Sequence, residues 1–468
     1  MRKKKEAAIC EVEITGLGHK GTAVGRTDEG MVVFVQGAVP GDRILVALLK
    51  KRKGVWLGKT REVLRYSEHR TEARCQHFGV CGGCSWQNLL YKEQLHQKEI
   101  IVRDAFTRIA KTHIGQFEPI LEAPEEFEYR NKLEYTFSVH RWLTQEDMQS
   151  DEPRIRTGAL GFHRPGIFDK IVNIEHCHLQ GNLSNDIKNY IRLFAEKNQL
   201  SFYDIRNHTG FLRNLIIRVN LHNEILLVLV VSVADQDQLT DLFIELQHKF
   251  PQINSAWKVV NSKRNDSLYD LNFEKIFGSD YIIESLHDVA FNISPKSFFQ
   301  TNTRQAVRLY DLVKSYAALK GNEIVYDLYC GVGSIGIFLA REAKFIIGVE
   351  EIAEAIEDAK QNAQLNKLTN CHFVHGDAKN IFNEELIARF GRPDVLILDP
   401  PRVGLHSDLI LQILEIKADR IVYVSCNPAT QARDVSLLLE KYDLVKIRPV
   451  DMFPHTNHIE SVAQLKLK

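Results

Sequence analysis

The pattern of apolar and polar positions divides the chain into parts of different character. Between residues 10 and 64, short apolar runs are separated by glycines, which predicts a small β-barrel. From residue 86 to 113, apolar residues recur at helical spacing, which predicts a helix. Strand-like runs then dominate from about 125 to 290, with helical patterns near 183–198 and 236–249. We therefore expect an all-β module followed by an α+β region.

The last part of the chain alternates between strand-like and helical patterns. The predicted strands are Glu323–Tyr329, Phe345–Val349, His372–His375, Val395–Leu398 and Ile421–Val424. Helical patterns lie between them, for example at Ala353–Asn366 and Asp408–Ile416. This alternation predicts a doubly wound, Rossmann-like α/β domain with a mostly parallel sheet. Because ligands of such sheets bind at the carboxyl ends of the strands, we expect the functional residues there.

Length and composition are those of a globular protein with several domains. The chain has 468 residues, so a prior of about 150 residues per domain predicts about three. We place the barrel at 1–68, the α+β region at 69–290 and the α/β domain at 291–468. Hydrophobic residues make up 44% and charged residues 26%, which argues against disorder.

The sequence predicts neither a membrane span nor an export signal. The longest apolar run, Ile225–Ala234, is far shorter than the ~20 residues that cross a bilayer. Glutamates interrupt the basic N-terminus before any apolar signal core. We expect a monomeric, cytoplasmic protein with no membrane partner.

The charge is unevenly distributed, although the net charge is zero. Residues 1–70 contain 15 Lys and Arg against 8 Asp and Glu, so the front module is basic and the remainder acidic. The run Lys50-Lys51-Arg52-Lys53 lies close to Trp56, and this combination suits phosphate contact with base stacking. The alternatives are a solvated tail and a charged edge strand that resists aggregation.

The cysteines point to a metal site. Cys75-x5-Cys81-x2-Cys84 forms a loop with glycines between its thiols, and Cys177 offers a distant fourth thiol. Zinc sites usually pair two short C-x2-C motifs, and only one is present, so this spacing favours an iron–sulfur cluster. The alternative is a set of unligated thiols near a turn.

Carboxylates follow the first three predicted strands of the α/β domain. The first strand ends at Asp327 and leads into a turn with Gly331 and Gly333, whose backbone can approach a ligand. Asp327 is placed to bind a cationic amine, Glu350 to bind ribose hydroxyls, and Asp377 to accept from an adenine amino group. Carboxylates without a phosphate-binding lysine favour S-adenosylmethionine over NAD. A Rossmann core without a nucleotide is the alternative.

Two further strands end in residues that suit catalysis. In Asp399-Pro400-Pro401-Arg402 the prolines stop the strand and hold the carboxylate rigidly. The next strand ends at Cys426, a candidate nucleophile whose pKa its setting can lower, or otherwise a buried structural thiol. Glu460 follows the imidazoles of His455 and His458 just before the final predicted strand, and it is a candidate catalytic carboxylate. The alternative interpretation of this segment is a solvated turn.

Together these motifs resemble the RNA 5-methyluridine methyltransferases, class I enzymes that use S-adenosylmethionine and carry an N-terminal TRAM domain. The resemblance extends over essentially the whole chain. Its motifs are the four cysteines, Ser297-Phe298-Phe299-Gln300, Asp327–Gly333, Asp399–Arg402, Ser425-Cys426-Asn427-Pro428 and His458-x-Glu460.

The resemblance implies roles for individual residues. Cys426 is then the nucleophile and Glu460 the general base that removes the C5 proton. The positions that bind S-adenosylmethionine are Gln300, Tyr329, Glu350 and Asp399, with Asp377 as a further contact. The ligands of a [4Fe–4S] cluster are Cys75, Cys81, Cys84 and Cys177. At Ser334 some members carry Asn, so no contact is assigned there.

The implied partner is RNA, bound in part by the TRAM barrel, with 23S ribosomal RNA favoured and transfer RNA as the other branch. Two other functions remain open on the sequence. An amino-group methyltransferase of nucleic acid also uses an Asp-Pro-Pro element but needs neither Cys426 nor Glu460. A non-catalytic RNA-binding protein with an iron–sulfur cluster would leave the rigid layer of Asp399 and Cys426 unexplained.

Overall fold

The computed structural model describes residues 8–18, 21–52, 54–149, 158–234 and 237–468. The basic residues Arg2 to Lys5 and Lys53 lie outside these ranges. The described strands form a closed barrel, a seven-stranded sheet, a two-stranded hairpin and an eight-stranded sheet. Within these ranges, no helix is both long and apolar enough to cross a membrane.

The front of the chain is a closed five-stranded barrel, as its glycine-punctuated pattern predicts. The strands pair in the order β1-β2-β3-β5-β4, and alternate side chains such as Val33 and Val35 fill the interior. Gly58 permits the close pairing of two of these strands, because a Cβ there would stand 2.2 Å from a methyl of Val46. The strands are β1 (Ile9–Leu17), β2 (Ala23–Arg26), β3 (Val32–Gln36), β4 (Arg43–Arg52) and β5 (Val55–Arg65).

The helix predicted at 86–113 begins later and ends slightly earlier. Helix α1 (Tyr91–Ala105) continues into a π-helical turn, Phe106–Ala110, and the chain leaves it at Lys111 with φ +50°. Its apolar face, which includes Val102 and Phe106, packs into the core of the C-terminal sheet. The short strand β6 (Gln116–Phe117) follows and joins that same sheet beside its last-but-one strand.

The middle of the chain forms the seven-stranded sheet, in the order β13-β12-β11-β10-β7-β8-β9. Strand β11, which lies between β12 and β10, is buried at every position, and this accounts for the longest apolar run in the sequence. The strands are β7 (Lys132–Ser138), β8 (Ala159–His163), β9 (Ile171–Asn173), β10 (Leu212–Val219), β11 (Ile225–Val231), β12 (Ile253–Val260) and β13 (Phe273–Gly278). The helices are α2 (Gln145–Gln149), α3 (Asn182–Lys197) and α4 (Asp237–Lys249), and the hairpin β14 (Ile282–Leu286) with β15 (Val289–Ile293) follows.

The C-terminal sheet is doubly wound, as predicted, with the order β18-β17-β16-β19-β20-β22-β21-β6. Its first five strands are parallel. β22 is antiparallel to both β20 and β21, and β6 is parallel to β21. The strands are β16 (Ile324–Leu328), β17 (Phe345–Glu350), β18 (Cys371–His375), β19 (Val395–Leu398), β20 (Arg420–Ser425), β21 (Tyr442–Val450) and β22 (Glu460–Leu467). The helices are α5 (Thr303–Ala317), α6 (Ser334–Leu339), α7 (Ala353–Leu365), α8 (Ala378–Ile381), α9 (Glu384–Phe390), α10 (Ser407–Ile416) and α11 (Pro428–Leu438).

Candidate active site

The five parallel strands bring the predicted site residues to one edge of the sheet. Each of these strands has a predicted site residue at its carboxyl end or just beyond it. These residues are Tyr329 after β16, Glu350 at the end of β17, Asp377 after β18, Asp399 after β19 and Cys426 after β20. Since parallel strands end on the same side of a sheet, residues far apart in sequence meet there.

The turn after β16 has the backbone shape that a ligand-binding turn requires. Tyr329, Gly331 and Gly333 all have left-handed φ angles, of +69°, +54° and +77°. A left-handed tyrosine is uncommon and holds the peptide chain in a sharp turn. The Glu350 carboxylate accepts hydrogen bonds from the amides of Gly331 (3.0 Å) and Ile352 (3.0 Å). The Glu350 side chain therefore links the turn after β16 to the turn after β17 by hydrogen bonds.

Asp327, in the strand before this turn, forms a hydrogen bond with the helix that follows the turn. Its Oδ2 accepts a hydrogen bond from the Gly336 amide at 2.8 Å, and the side chain is 1% exposed. Burial, together with the nearby carboxylates Asp399 and Glu350, raises the pKa of Asp327 to about 7. The other carboxylate oxygen, Oδ1, is buried without a hydrogen-bond partner among the residues that the structure describes, so the expected contact of Asp327 with a cationic amine stays a prediction.

Asp377 and Gln300 are held by neighbours within the protein. Asp377 accepts from the Lys379 amide at 3.1 Å and pairs with the Lys379 ammonium at 2.9 Å, which lowers the pKa of the Asp377 carboxyl. The Gln300 carbonyl accepts from the Asn131 side chain at 2.9 Å, so the residues before α5 are anchored beside β7.

Cys426 lies among two carboxylates and one guanidinium. Burial first, then the carboxylates of Glu460 and Asp399, raise the pKa of the Cys426 thiol to about 11. Arg402, hydrogen-bonded to the thiol, acts in the opposite direction. The sequence suggested a setting that lowers this pKa, but two acidic neighbours and burial outweigh the single cation.

Both carboxyl groups beside the thiol are made more basic by their surroundings. Burial raises the pKa of Asp399 to about 7. Glu460 is the first residue of β22 and is 7% exposed; burial and the charge of Asp399 raise its pKa, while Arg402 opposes the shift. A carboxylate of raised pKa is a better proton acceptor near neutral pH.

Sequence reasoning assigned no role to Arg402, which the structure connects to both sides of the site. Besides the thiol, its Nη2 lies 3.0 Å from Nδ1 of His458. Its carbonyl accepts from the side-chain amide of Asn427 at 2.9 Å, and Asn427 also caps α11. The position of Arg402 at the end of the Asp-Pro-Pro-Arg motif could have marked it as a site residue. The sequence does not show which groups it would contact.

The four predicted cluster ligands line one cavity. It has a volume of about 350 Å³ and lies between the loop before α1 and the residues after β9. Its cysteines are Cys75, Cys81, Cys84 and Cys177. Among the described residues, no group of three or more His, Cys, Asp or Glu side chains is arranged to hold a single metal ion.

The sulfur atoms in this cavity also have hydrogen-bond donors. The Gly83 amide donates to the Cys81 sulfur at 3.3 Å, and the Gln87 side chain donates to the Cys84 sulfur at 3.2 Å. Such bonds stabilise thiolates, and they are one of the features by which proteins set the potentials of iron–sulfur clusters. Four thiols therefore line one cavity, and the sulfurs of Cys81 and Cys84 accept hydrogen bonds.

Comparison with known proteins agrees with this architecture. Residues 220–468 match the family described as tRNA (Uracil-5-)-methyltransferase, and residues 3–60 match the TRAM domain. An uncharacterized RNA methyltransferase of Bacteroides thetaiotaomicron is 42% identical over 453 residues, covering 96% of this chain and 99% of that protein. Another from Porphyromonas gingivalis is 44% identical over 462 residues, covering 97% and 99%.

A solved structure extends the match to the whole fold. The crystal structure of Pyrococcus abyssi tRNA (uracil-54, C5)-methyltransferase in complex with S-adenosyl-L-homocysteine aligns with a TM-score of 0.75 at 29% identity. The alignment covers 97% of this chain and 100% of that chain. The predicted TRAM barrel and methyltransferase fold are thereby confirmed. The chain belongs to the family of S-adenosylmethionine-dependent RNA uracil-5 methyltransferases.

Proposed function

We propose that the protein methylates C5 of a uridine in RNA, with Cys426 as nucleophile and Glu460 as general base. The observation that carries this proposal is the placement of the two residues on adjacent strands. Ser425 pairs with Ser461 in the antiparallel register of β20 and β22, so Cys426 and Glu460 are the next residues beyond that pair on the two neighbouring strands. Asp399 and Arg402 complete the charged surroundings of the thiol.

The chemistry needs both groups because uracil C5 is a weak nucleophile. The Cys426 thiolate adds to C6 and makes C5 an enolate carbon. S-adenosylmethionine supplies the methyl group, which passes from its sulfonium sulfur to C5 and leaves S-adenosylhomocysteine. The Glu460 carboxylate then takes the proton from C5, and the C6–sulfur bond breaks to restore the C5–C6 double bond and the thiolate.

The electrostatics of the site suggest how the thiolate forms. With a pKa of about 11, the Cys426 thiol is protonated near neutral pH. We propose that its proton passes to the Asp399 carboxylate as uridine binds, since Glu460 has to remain free for the C5 proton. The hydrogen bond from Arg402 then stabilises the thiolate.

S-adenosylmethionine fits the edge formed by β16, β17 and β18. We propose that Glu350 binds the ribose hydroxyls, with Gln300, Tyr329, Asp377 and Asp399 as further contacts. The support is geometric. The left-handed turn at Tyr329 and the Glu350 carboxylate stand at the ends of adjacent strands, where ligands of doubly wound sheets bind.

We propose a [4Fe–4S] cluster in the cysteine cavity. Its support is the donor set and the cavity described above, which receives three thiols from one loop and the fourth from Cys177. The cavity is lined by Thr301, which follows Gln300, and by Arg130, whose guanidinium lies 5.1 Å from the ring centre of Phe453. This location, next to the proposed cofactor contact Gln300, suits a structural role.

We propose that the substrate is 23S ribosomal RNA. The support for this proposal is that the chain has both a TRAM barrel and the cysteine loop. The target uridine must leave its stack to reach Cys426, at a cost of a few kcal/mol, which favours loops over intact helix. The Pyrococcus abyssi relative is a tRNA methyltransferase, so transfer RNA is the competing substrate.

The decisive experiment is incubation with methyl-labelled S-adenosylmethionine and either unmodified ribosomal RNA or unmodified transfer RNA, followed by nucleoside digestion. Labelled 5-methyluridine from ribosomal RNA, absent with Cys426→Ala, is the expected result. Label from transfer RNA alone would overturn the substrate assignment but keep the reaction. Label on an exocyclic amine, or full activity of Cys426→Ala, would overturn the mechanism.

A further inference from the structure

The loop 451–459 connects β21 to β22, and Glu460 is the residue that immediately follows it. Val450 and Glu460 are direct partners in the antiparallel register, so the loop leaves and re-enters the sheet at one point. Any displacement of the loop therefore acts directly on the first residue of β22. The contacts of this loop show what holds it in place.

His455, at the middle of the loop, is held through its backbone and by packing of its ring. Its carbonyl accepts from the amides of Ser85 (2.8 Å) and Trp86 (3.0 Å), which follow the last cysteine of the cluster loop. Its ring packs on Phe127 with centroids 4.3 Å apart. Its backbone is left-handed, with φ +63°, a conformation that a non-glycine residue keeps only when its surroundings enforce it.

Gln94 of helix α1 makes the largest set of polar contacts with this residue. Its Oε1 accepts from the His455 amide at 2.8 Å, and its Nε2 lies 3.1 Å from His455 Nδ1. The same Nε2 donates to the carbonyls of Trp86 (3.0 Å) and Leu89 (2.8 Å). Gln94 is fully buried. Burial lowers the pKa of His455 to about 4, so its ring is neutral near pH 7.

Lys98, one turn further along α1, fixes the start of the loop. Its ammonium donates to Asp451 Oδ1 at 2.6 Å and to the Phe453 carbonyl at 3.1 Å, and both charged side chains are fully buried. Asn302 donates to the Met452 carbonyl at 3.0 Å. The loop is thus held by α1, by the cluster loop and by the start of α5 before it reaches the active site.

The other end of the loop reaches the nucleophile. His458 Nδ1 lies 3.0 Å from Arg402 Nη2, and Arg402 is hydrogen-bonded to the Cys426 thiol. The loop is therefore held near its middle by Gln94 and near its far end by Arg402.

We infer that Gln94 is a positioning residue for the reaction: by holding His455, it sets the position of Glu460 relative to the C5 proton. The inference rests on the proposed role of Glu460. Gln94 touches neither the thiol nor the carboxyl, and its contribution is to place the loop. A misplacement of about 1 Å in a catalytic group lowers rates on the order of 10²-fold.

The consequence should be greatest at one step. A displaced Glu460 leaves addition of Cys426 and methyl transfer possible but slows removal of the C5 proton. The methylated RNA then remains covalently attached to the protein. A variant that is merely less stable would instead lose addition and turnover together and would show no attached RNA.

The test compares Gln94→Leu with Gln97→Leu on denaturing gels after single-turnover reaction with RNA and S-adenosylmethionine. Gln97 is the matched control because it is a buried glutamine of the same helix whose Oε1 accepts from the Leu17 amide of the barrel (3.1 Å), away from the loop. We expect kcat to fall on the order of 10²-fold for Gln94→Leu with KM little changed, and a shifted protein–RNA band. Gln97→Leu should show no such band.

Glu460→Gln serves as the reference for the covalent protein–RNA band. If Gln94→Leu does not melt cooperatively, and is therefore not folded, Gln94→Asn is used in its place. A band with Glu460→Gln but none with either Gln94 variant would overturn the inference and leave the proposed function intact. If Glu460→Gln itself gives no band, the assignment of the base fails and the inference fails with it. An equal band with Gln97→Leu would also overturn the inference, because the effect would then be general to α1.

Discussion

Nη2 of Arg402 lies 3.0 Å from Nδ1 of His458. Burial first, and then the positive charge of Arg402, lower the pKa of His458 to about 4. The imidazole is therefore neutral near pH 7, and its Nδ1 accepts a hydrogen bond from the guanidinium. The histidine holds Arg402 in place while the same guanidinium is hydrogen-bonded to Cys426.

Replacing Arg402 by methionine should make Cys426 less reactive. The change removes the cation that favours the thiolate, so the thiol pKa should rise above its present value of about 11. The rate of alkylation by iodoacetamide at pH 8, followed for the Cys426 peptide by mass spectrometry, should fall on the order of tenfold. An exposed arginine away from the site, Arg341→Met, is the control. An unchanged rate for Arg402→Met would contradict the assigned contact.

The alkylation rate of Cys426 in the free protein should depend steeply on pH. Because the thiol pKa is raised, the thiolate is scarce at pH 7, and its fraction increases about tenfold per pH unit below the pKa. The rate should still be increasing at pH 9.5. A plateau near pH 7 would show that the site lowers the thiol pKa.

Glu460→Gln should stall the reaction after methyl transfer. The amide keeps the size of the side chain but cannot accept the C5 proton, so the RNA remains bound through Cys426. We expect a covalent protein–RNA band that carries the methyl label and is lost in Cys426→Ala. Normal turnover by Glu460→Gln would remove this residue from the mechanism.

Glu350→Ala should weaken binding of S-adenosylmethionine. Hydrogen bonds to a charged group contribute about 1.5–3 kcal/mol, which corresponds to a Kd increase of roughly 10- to 100-fold. Calorimetric titration would measure the change, with the exposed neighbour Glu351→Ala as control. Equal affinities for the two variants would contradict the proposed contact with ribose.

Cys177→Ser should lower the iron content of protein purified without oxygen. The serine removes one of four thiolates and leaves the cluster without its distant ligand. Iron and sulfide analysis, with the visible absorption of the cluster, would measure the loss, and Cys10→Ser in the barrel is the control. Stoichiometric zinc without iron in the unmodified protein would overturn the proposed cluster.

Much of the fold could be predicted because it depends on local patterns. The predicted strand Val395–Leu398 agrees with β19 at both ends, and Phe345–Val349 differs from β17 by one residue. Side chains buried on both faces of a parallel sheet give short continuous apolar runs that are visible in sequence. The helix predicted at 86–113 was less well bounded, because Trp86 and Leu89 pack into the core of the barrel before the helix begins at Tyr91.

The sequence by itself determined the barrel, the parallel strands and the order of the residues at their carboxyl ends, since each is encoded by neighbours along the chain. The tertiary structure decided the setting of those residues. Gln94 and His455 are 361 positions apart, and the pKa of Cys426 depends on carboxylates from two other strands. Burial and the electric field of distant groups are properties of packing, so no local pattern could show that the thiol pKa is raised or that α1 holds the loop before Glu460.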